Sequence, residues 1–263
     1  MRTIPTLAVV SLALMALCTS PATAAVPKSA AENPDADQIL RQMSDRLAGA
    51  RSFRFEATRK LDPGLMEGQA LPAQAHIVAS VQRPNKIGGR AESKSGARRF
   101  VFDGRTVSLL DEKKNTYATV PMHTSLDGLV DQLDKKYGFI PPLAEFALSN
   151  PYAEFHRQAY AITYLGRDKV AAGFLGLGGV ECHHLGLKGK EADAELWIAV
   201  GDQLPRKLVA TFHRAGNPQL HIEFSTWNLA ATVTAADFTF TPPKGAQKIE
   251  MWTTAKMQAA SKH

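Results

Sequence analysis

The sequence predicts an α+β protein that is mostly β, built as an antiparallel sheet curved around helices. Apolar and polar residues alternate along many short segments, which is the period of half-buried strands. These segments form two groups along the chain, and a stretch with helical spacing separates the groups. A further helical stripe precedes the first strand. Because no repeat or linker interrupts the pattern, we expect a single domain over residues 33–250.

At the amino terminus, residues 1–24 have the pattern of a secretory signal peptide. Arg2 provides a positive charge, the run from Ile4 to Leu17 is mostly apolar, and Ala22-Thr23-Ala24 is a small-x-small cleavage site. Lipidation at Cys18 is the alternative, but a leucine precedes it where a lipoprotein signal carries a small residue. We therefore expect export, with cleavage after Ala24.

The first predicted helix follows a small, polar stretch, residues 25–32, that we expect to be flexible. Asn33-Pro34 favours a helix start, because asparagine caps helices and proline fits their first turn. Gly49 favours the helix end. The residues at helical spacing that would form the buried face are Ile39, Leu40, Met43 and Leu47.

The first group of strands follows this helix. Phe53, Phe55 and Ala57 alternate with polar residues, and Ile77, Ala79 and Val81 form a second alternating run that ends at Arg83-Pro84. Asp103-Gly104 between two apolar runs is a hairpin signal, which predicts strands over 97–102 and 105–110. Another strand is predicted over 116–120.

A helical insert interrupts the strands after residue 124. Leu126, Leu129, Val130, Leu133 and Tyr137 lie at helical spacing. Thr124 or Ser125 would cap the start of this helix, and Gly138 would end it. Two shorter helical pieces are predicted over 143–148 and 152–157. We interpret the insert as a lid or plug.

The second group of strands runs to the end of the domain. Strands are predicted over 161–165, 180–187, 194–200, 207–212 and 220–227, and glycines and prolines separate several of them. The segment from Phe238 to Gly245 closes the domain. We expect residues 251–263 to form a flexible tail.

Composition limits the classes of function. Cleavage leaves 263 − 24 = 239 residues, and loss of Arg2 lowers the formal net charge from +6 to +5. This mild excess, without a dense basic run, permits at most peripheral contact with an anionic membrane surface. An exported chain without a recognisable nucleic-acid motif is not expected to bind nucleic acid. Cys182 is the single cysteine of the cleaved chain, so no internal disulfide is expected.

No strong enzyme signature is present in the sequence: it contains no G-x-S-x-G, H-E-x-x-H, paired C-x-x-C or phosphate-loop motif. Cys182-His183-His184 are zinc-ligand types, but on a strand Cys182 and His184 face one side and His183 the other. The alternative interpretation is a buried thiol beside polar imidazoles. We expect no metal, no cofactor and no enzymatic activity.

The chain resembles the LolA-type lipoprotein carriers and their wider superfamily of periplasmic relatives. Within it, the resemblance is closest to an uncharacterised group of predicted periplasmic proteins. It is spread over most of the mature chain. The features that carry it are the capped helix running into Ser52-Phe53, the step Arg83-Pro84-Asn85, the strand pair around Asp103-Gly104, the helical segment after Val120, and the closing segment F-T-F-T-P-P-K-G.

The resemblance implies an incomplete β-barrel whose mouth is closed by short helices over an apolar cavity. In the carriers, the arginine of the R-P-N step lies at the rim and hydrogen-bonds to the lid, where it couples closure to ligand uptake and release. Arg83 matches that position. The alternative for Arg83 is a salt bridge at a strand end.

On this basis we expect a non-enzymatic periplasmic protein that binds a lipid or the acyl chain of a lipoprotein, for transport or sensing. The residues expected to contact the ligand are Arg83, Phe53, Phe55, Ile77, Val81, Phe100 and Phe102. Those expected to form the lid are Leu126, Leu129, Val130 and Leu133. The main alternative is a module with a filled core that binds an envelope protein. An envelope hydrolase or metal-dependent enzyme is a further alternative.

Overall fold

The computed structural model describes residues 35–66, 72–138, 143–171 and 178–251. The expected signal peptide, the flexible stretch 25–32 and the tail beyond Met251 lie outside the described residues. Within the described ranges, the three α-helices are α1 (Ala36–Ala48), α2 (Leu126–Tyr137) and α3 (Pro151–Gln158). Short 3₁₀ helices span Pro63–Leu65, Ala144–Ala147 and Ala235–Phe238.

Twelve strands are present in the part of the chain that the structure describes. In chain order they are β1 (Ser52–Leu61), β2 (Gln74–Gln82), β3 (Lys86–Ser93), β4 (Gly96–Phe102), β5 (Thr106–Asp111), β6 (Thr116–Pro121), β7 (Ala159–Ala171), β8 (Gly179–Gly189), β9 (Ala192–Ala199), β10 (Pro205–Phe212), β11 (Gln219–Asn228) and β12 (Gln247–Lys248).

All strands belong to one sheet, in the order β12-β6-β5-β4-β3-β2-β1-β11-β10-β9-β8-β7. Neighbouring strands are antiparallel except β12, which pairs with β6 in parallel. The two predicted groups of strands join where β1 pairs with β11. The predicted fold class is confirmed: the sheet is curved, mostly antiparallel and not closed into a barrel.

The two edges of this open sheet differ. At one edge, the short β12 covers β6 through Gln247 and Lys248. At the other edge lies β7, whose pairing with β8 shifts register between Ala159 and Ala161 and again between Tyr164 and Gly166. Such bulges bend a strand and interrupt its hydrogen-bond ladder.

The inner face of the sheet is set by the alternation in β1. Phe53, Phe55 and Ala57 are buried, and the cross-strand partners of these three residues on β2 are Val81, Ala79 and Ile77. Side chains from this face and from all three helices form one hydrophobic cluster. Burying each large apolar side chain contributes about 1.5–3 kcal/mol, so this contact holds the helices on the inner face.

Helix α1 begins slightly later than the Asn33-Pro34 signal indicates. Its N-cap is Asp35, whose side chain accepts a hydrogen bond from the backbone N–H of Asp37. The helix ends at Gly49, as predicted. Of its apolar residues, Leu40, Met43 and Leu47 are fully buried against the sheet. Asn33 and Pro34 lie outside the described residues.

Helix α2 is bounded by the residues that the sequence indicated. Of the two candidate caps, Ser125 accepts from the backbone N–H of Gly128 at 3.3 Å. Gly138 has φ 59°, in the left-handed region where glycine carries no Cβ penalty. Asp127 in the first turn and two lysines in the last turn match the helix dipole.

The segment before the closing motif packs on the outer face of the sheet. Asp237 accepts a 2.7 Å hydrogen bond from Arg54 Nη2 and lies directly over Gly88 of β3. A Cβ added to Gly88 would collide with the carbonyl oxygen of Asp237. Glycine at this position therefore lets the Ala235–Phe238 helix approach the backbone of β3.

Candidate functional site

A row of five aligned residues, most of them small, crosses the inner face over strands β2 to β6. The register aligns Ala79 with Gly89, Gly89 with Phe100, Phe100 with Leu109, and Leu109 with Ala118. Three of these five positions carry alanine or glycine. Side chains this short leave space above the sheet that larger residues would fill.

That space is a cavity of about 410 Å³. Ligand pockets for small molecules measure roughly 300–1,000 Å³, so the cavity is of ligand size. Its wall is mainly apolar, and it extends towards the β3–β4 turn at Ser95. Among its lining residues are Phe55, Ile77, Ile87, Phe100, Leu109 and Ala118.

The carboxyl-terminal part of the described chain forms one wall of the cavity. β12 pairs with β6, and the backbone N–H of Ile249 then donates to the carbonyl of Tyr117 at 2.7 Å. Ile249, Glu250 and Met251 line the cavity directly after this bond. Few backbone hydrogen bonds hold this wall compared with the strands of the sheet.

The predicted ligand-contacting residues divide into two sets. Phe55, Ile77 and Phe100 line the cavity. Phe53, Val81 and Phe102 have no exposed surface and belong to the packed core. The sequence placed all six residues on one face, and the structure agrees. Whether a residue lines the cavity or belongs to the packed core depends on which part of that face the helices cover.

The predicted lid residues lie away from the cavity. Leu126, Leu129 and Leu133 are buried in the packed core, and Val130 is half-buried. The backbone N–H of Leu126 donates to the carbonyl of Pro84, in the β2–β3 turn. The cavity reaches the β3–β4 turn, at the opposite end of β3. None of the four predicted lid residues lines the cavity, and their role as a lid stays a prediction.

Arg83 links the helices to each other through backbone carbonyls. Nη1 donates to the carbonyls of Ala147 and Leu148 at 2.6 and 2.7 Å, in the helical insert. Nη2 and Nε donate to the carbonyls of Leu47 and Ala50 at 3.3 and 3.2 Å, at the end of α1. Burial lowers the pKa of Arg83, and the charge of Asp127 raises it. These bonds go to main-chain acceptors, and the effect of Arg83 on ligand exchange stays a prediction.

A second polar cluster fixes α3 against α1. The hydroxyl of Tyr152 donates to Asp37 Oδ1 at 2.8 Å and accepts from Arg41 Nη2 at 2.7 Å. The backbone N–H of Tyr152 donates to the buried hydroxyl of Ser44 at 3.0 Å. Together with Arg83, these bonds hold α1, α3 and the Ala144–Ala147 helix as one layer.

Two inward arginines at the end of the cavity were not identified from the sequence. Arg59 continues the inward series of β1, and Arg98 lies on the inner face of β4, opposite Ala91. Both line the cavity, and Arg59 is only 7% exposed. The available signal was strand parity, because Arg59 is two residues beyond Ala57 on an otherwise apolar face.

The side chains of Cys182, His183 and His184 lie in different surroundings. Cys182 is fully buried beside Trp197, and burial raises the pKa of its thiol to about 11. His184 stacks on Trp197 and contacts Glu195, whereas His183 lies near Tyr164. No group of three or more His, Cys, Asp or Glu residues within the described ranges is arranged to hold a metal ion.

The chain matches one described protein family over most of its length. The sequence profile of a family described as "Predicted periplasmic protein (DUF2092)" matches residues 36–252. No curated protein matches the chain. Among the described residues, no helix is long and apolar enough to cross a membrane.

Several solved structures are similar to this chain at low sequence identity. An uncharacterised conserved protein from Thermus thermophilus has a TM-score of 0.50 and 10% identity, over 82% of this chain and 99% of that one. The MucA/MucB complex of Pseudomonas aeruginosa has a TM-score of 0.42 and 15% identity, over 77% of this chain and 61% of that one. A LolA superfamily protein from Nitrosomonas europaea has a TM-score of 0.37 and 11% identity, over 78% of this chain and 98% of that one. At such identities the likeness concerns the fold alone.

Proposed function

Because the chain belongs to the DUF2092 family of predicted periplasmic proteins, we propose that it is a non-enzymatic binding protein of the periplasm. In this proposal the cavity on the inner face holds the apolar chain of a lipid or of an acylated partner. The predicted membership of an uncharacterised group of predicted periplasmic proteins is confirmed, and so is the periplasmic location. Cleavage after Ala24 stays a prediction.

The observation that carries the proposal is the apolar cavity of about 410 Å³ above the row of small residues. Burial of one methylene group contributes about 0.8 kcal/mol. Ten buried methylenes would therefore contribute roughly 8 kcal/mol before the cost of ordering the ligand. An aliphatic chain needs no catalytic motif for such binding.

Ligand access is proposed to occur past Ile249 and Met251. The helices of the inner layer are held by Arg83 and by the Asp37–Tyr152 contact. The carboxyl-terminal wall instead depends on the two-residue strand β12. Elements with few backbone hydrogen bonds open at the lowest free-energy cost. The moving part in this proposal is therefore the wall formed by residues 249–251.

The chemistry of the site favours binding over catalysis. Cys182 lies on β8 and is not among the residues that line the cavity, and burial raises the pKa of its thiol, which makes it a poor nucleophile. The cavity walls supply hydrophobic contacts, four arginines and two carboxylates, with no histidine or cysteine among the described lining residues.

Filling the cavity tests the proposal. The Cβ of a side chain at Gly89 would make ordinary contacts, 3.5 Å from the carbonyl oxygen of Val78 and 3.8 Å from Ala79 Cβ. Gly89→Leu should therefore fold. Excluding two or three ligand methylenes should weaken binding of hexadecanoate about 10- to 50-fold. Displacement of a fluorescent fatty-acid analogue from delipidated protein measures this change.

Gly201→Leu is the matched control, since Gly201 is exposed and a Cβ there meets no atom within 4 Å. Equal affinity of the two variants would contradict binding in this cavity. A lipid-free mass in native mass spectrometry of gently purified protein, together with no binding by the unmodified chain, would favour an interaction module that binds an envelope protein.

A further inference from the structure

The polar end of the cavity contains a buried guanidinium group with an unused donor. The side chain of Arg59 is on the inner face, lines the cavity and is 7% exposed. Its Nη2 donates to the carbonyl of Pro72 at 3.1 Å. Its Nε is buried and has no hydrogen-bond partner among the described residues. Native proteins rarely leave a buried donor unpaired, so this atom is a candidate contact for a ligand.

The charge around Arg59 is not balanced by a carboxylate in contact with it. Among the described residues, no ion pair joins Arg59 to an acidic group. Burial lowers the pKa of Arg59, and the charge of Arg98 lowers it further. Both effects mean that a positive charge at this place is destabilised in the unliganded protein. An anion in contact with the guanidinium would offset both effects through Coulomb attraction.

Arg98 contributes to the same end of the cavity. Its Nε lies 3.7 Å from Asp111 Oδ2, at the limit of an ion pair. Asp111 and Glu250 also line the cavity, as do Arg90 and Arg99, so the lining contains four arginines and two carboxylates. Asp111 lies against Arg98, which leaves Arg59 as the group whose donor is unsatisfied.

We propose that the ligand of the cavity is an amphiphile with an anionic head, a carboxylate or a phosphate monoester, which accepts a hydrogen bond from Arg59 while its apolar chain lies along Phe100 and Ile77. This inference rests on the proposed function and specifies its ligand class. Guanidinium groups suit such heads because their planar donors match carboxylate and phosphate oxygens.

The geometry also gives the ligand an orientation. The head lies near β1 and the β3–β4 turn, where Arg59 and Ser95 line the cavity. The chain extends over the row of small residues towards the packed core. A ligand without a charged head would bury its polar end beside an unpaired guanidinium and would leave the Nε donor unsatisfied.

The test compares four probes of equal chain length on the delipidated full mature chain: hexadecanoate, hexadecyl phosphate, hexadecanol and hexadecyltrimethylammonium. Displacement of a fluorescent fatty-acid analogue gives the affinities. A charge-assisted hydrogen bond should make the preferred anion bind about 10- to 100-fold more tightly than hexadecanol. The ranking of the two anions separates a free fatty acid from a lipid phosphate.

Arg59→Met removes the guanidinium and keeps an apolar stem. The matched control is Lys60→Met, which removes the same charge from the next residue of β1, on the exposed outer face. Arg59→Met should abolish the preference for the anion and leave hexadecanol affinity within about threefold. Lys60→Met should keep the preference. Arg59→Lys should keep part of it, because the charge remains.

The folding of Arg59→Met is checked by thermal unfolding. Replacing a buried, unpaired cation with an apolar side chain is often neutral or stabilising, so the midpoint should not fall. Equal binding of hexadecanoate, hexadecyl phosphate and hexadecanol would overturn this inference and leave the proposed function intact. Failure of all four probes to bind would overturn the proposed function itself. An unchanged anion preference in Arg59→Met would show that Arg59 does not contact the head.

Discussion

Arg83 shows how one side chain can join elements that are distant in sequence. Its guanidinium donates to four carbonyls, two at the end of α1 and two in the helical insert. The carbonyls at the end of a helix have no partner within it, so a side-chain donor there stabilises the helix end. In this molecule the arginine fixes the helical layer, which is a structural role beyond any effect on ligand exchange.

Arg83→Leu should lower stability as well as change ligand release. The substitution leaves buried carbonyls without a donor, and the free energy of unfolding should fall by roughly 2–4 kcal/mol. Urea denaturation measures the loss. Arg105→Leu, at an exposed position in the β4–β5 turn, is the control and should change little. An unchanged denaturation midpoint and an unchanged ligand exchange rate in Arg83→Leu would contradict both roles.

The sequence identified many of the site residues by type and missed the most polar one. Parity along β1 correctly placed Phe53 and Phe55 on the inner face. The same parity placed Arg59 on the inner face. A charged residue at a strand end is ordinarily exposed, so parity alone did not indicate that Arg59 is buried. That burial comes from Pro72 and from the neighbouring strands, which are contacts made only in the folded chain.

At the level of elements, the strongly periodic segments were predictable and β3 was not. Lys86–Ser93 contains Gly88-Gly89, which weakens a strand signal. Tertiary contacts explain both glycines. Gly88 allows the backbone of Asp237 to approach closely on the outer face, and Gly89 lies in the row of aligned residues under the cavity. The length of β7, Ala159–Ala171, also exceeded the predicted 161–165 because its exposed second half lacks apolar alternation.

Strand β12 is the element expected to govern access to the cavity. A chain ending at Lys248 should exchange ligand faster than one ending at Met251, because only the second retains the residues that form the cavity wall. Loss of the Ile249–Tyr117 hydrogen bond removes a backbone tie of this wall. Stopped-flow displacement of a fluorescent fatty-acid analogue measures the rates.

The chain ending at Met251 is the control, because both shortened chains lack the residues beyond Met251. Equal exchange rates of the two chains would place the access route elsewhere, and Arg83→Leu would then become the first variant in which to seek faster release.

At the scale of the whole molecule, the sequence predicted one curved antiparallel sheet with helices on one face. It could not predict where the helices end on that face. The position of α2 depends on its contact with Pro84 and on the packing of Phe102 and Leu129, which are far apart in the chain. The cavity is the part of the inner face that those contacts leave uncovered, so its place follows from the assembled fold.

The pH dependence of global stability should reflect Glu145 of the Ala144–Ala147 helix. Burial, with a smaller contribution from the charge of Glu154, raises the pKa of Glu145 to about 7. The folded protein therefore holds this proton at pH values where the unfolded chain has lost it. Stability from this group is complete below about pH 4.5, the ordinary pKa, and falls as pH rises towards 7.

Glu145→Gln should remove this dependence, because glutamine is neutral at every pH. We expect the variant to gain stability relative to the unmodified chain between about pH 5 and 8, with the largest difference above about pH 7. Urea denaturation across this range measures the difference. Glu191→Gln, at an exposed position, provides the comparison. A constant difference between the Glu145 variant and the unmodified chain would contradict the raised pKa.

The position of β7 at the end of the sheet has a consequence for behaviour at high concentration. A flat outer strand is a template onto which a second copy can add, which begins polymerisation. Here the two register shifts of β7 break the repeat that such addition requires, and Arg167, Asp168 and Lys169 place charges along it. Growth of a continuous sheet between molecules would bury those charges and leave carbonyls mismatched at the shifts. The register shifts and the charges of β7 thus help to keep neighbouring copies apart in a crowded compartment.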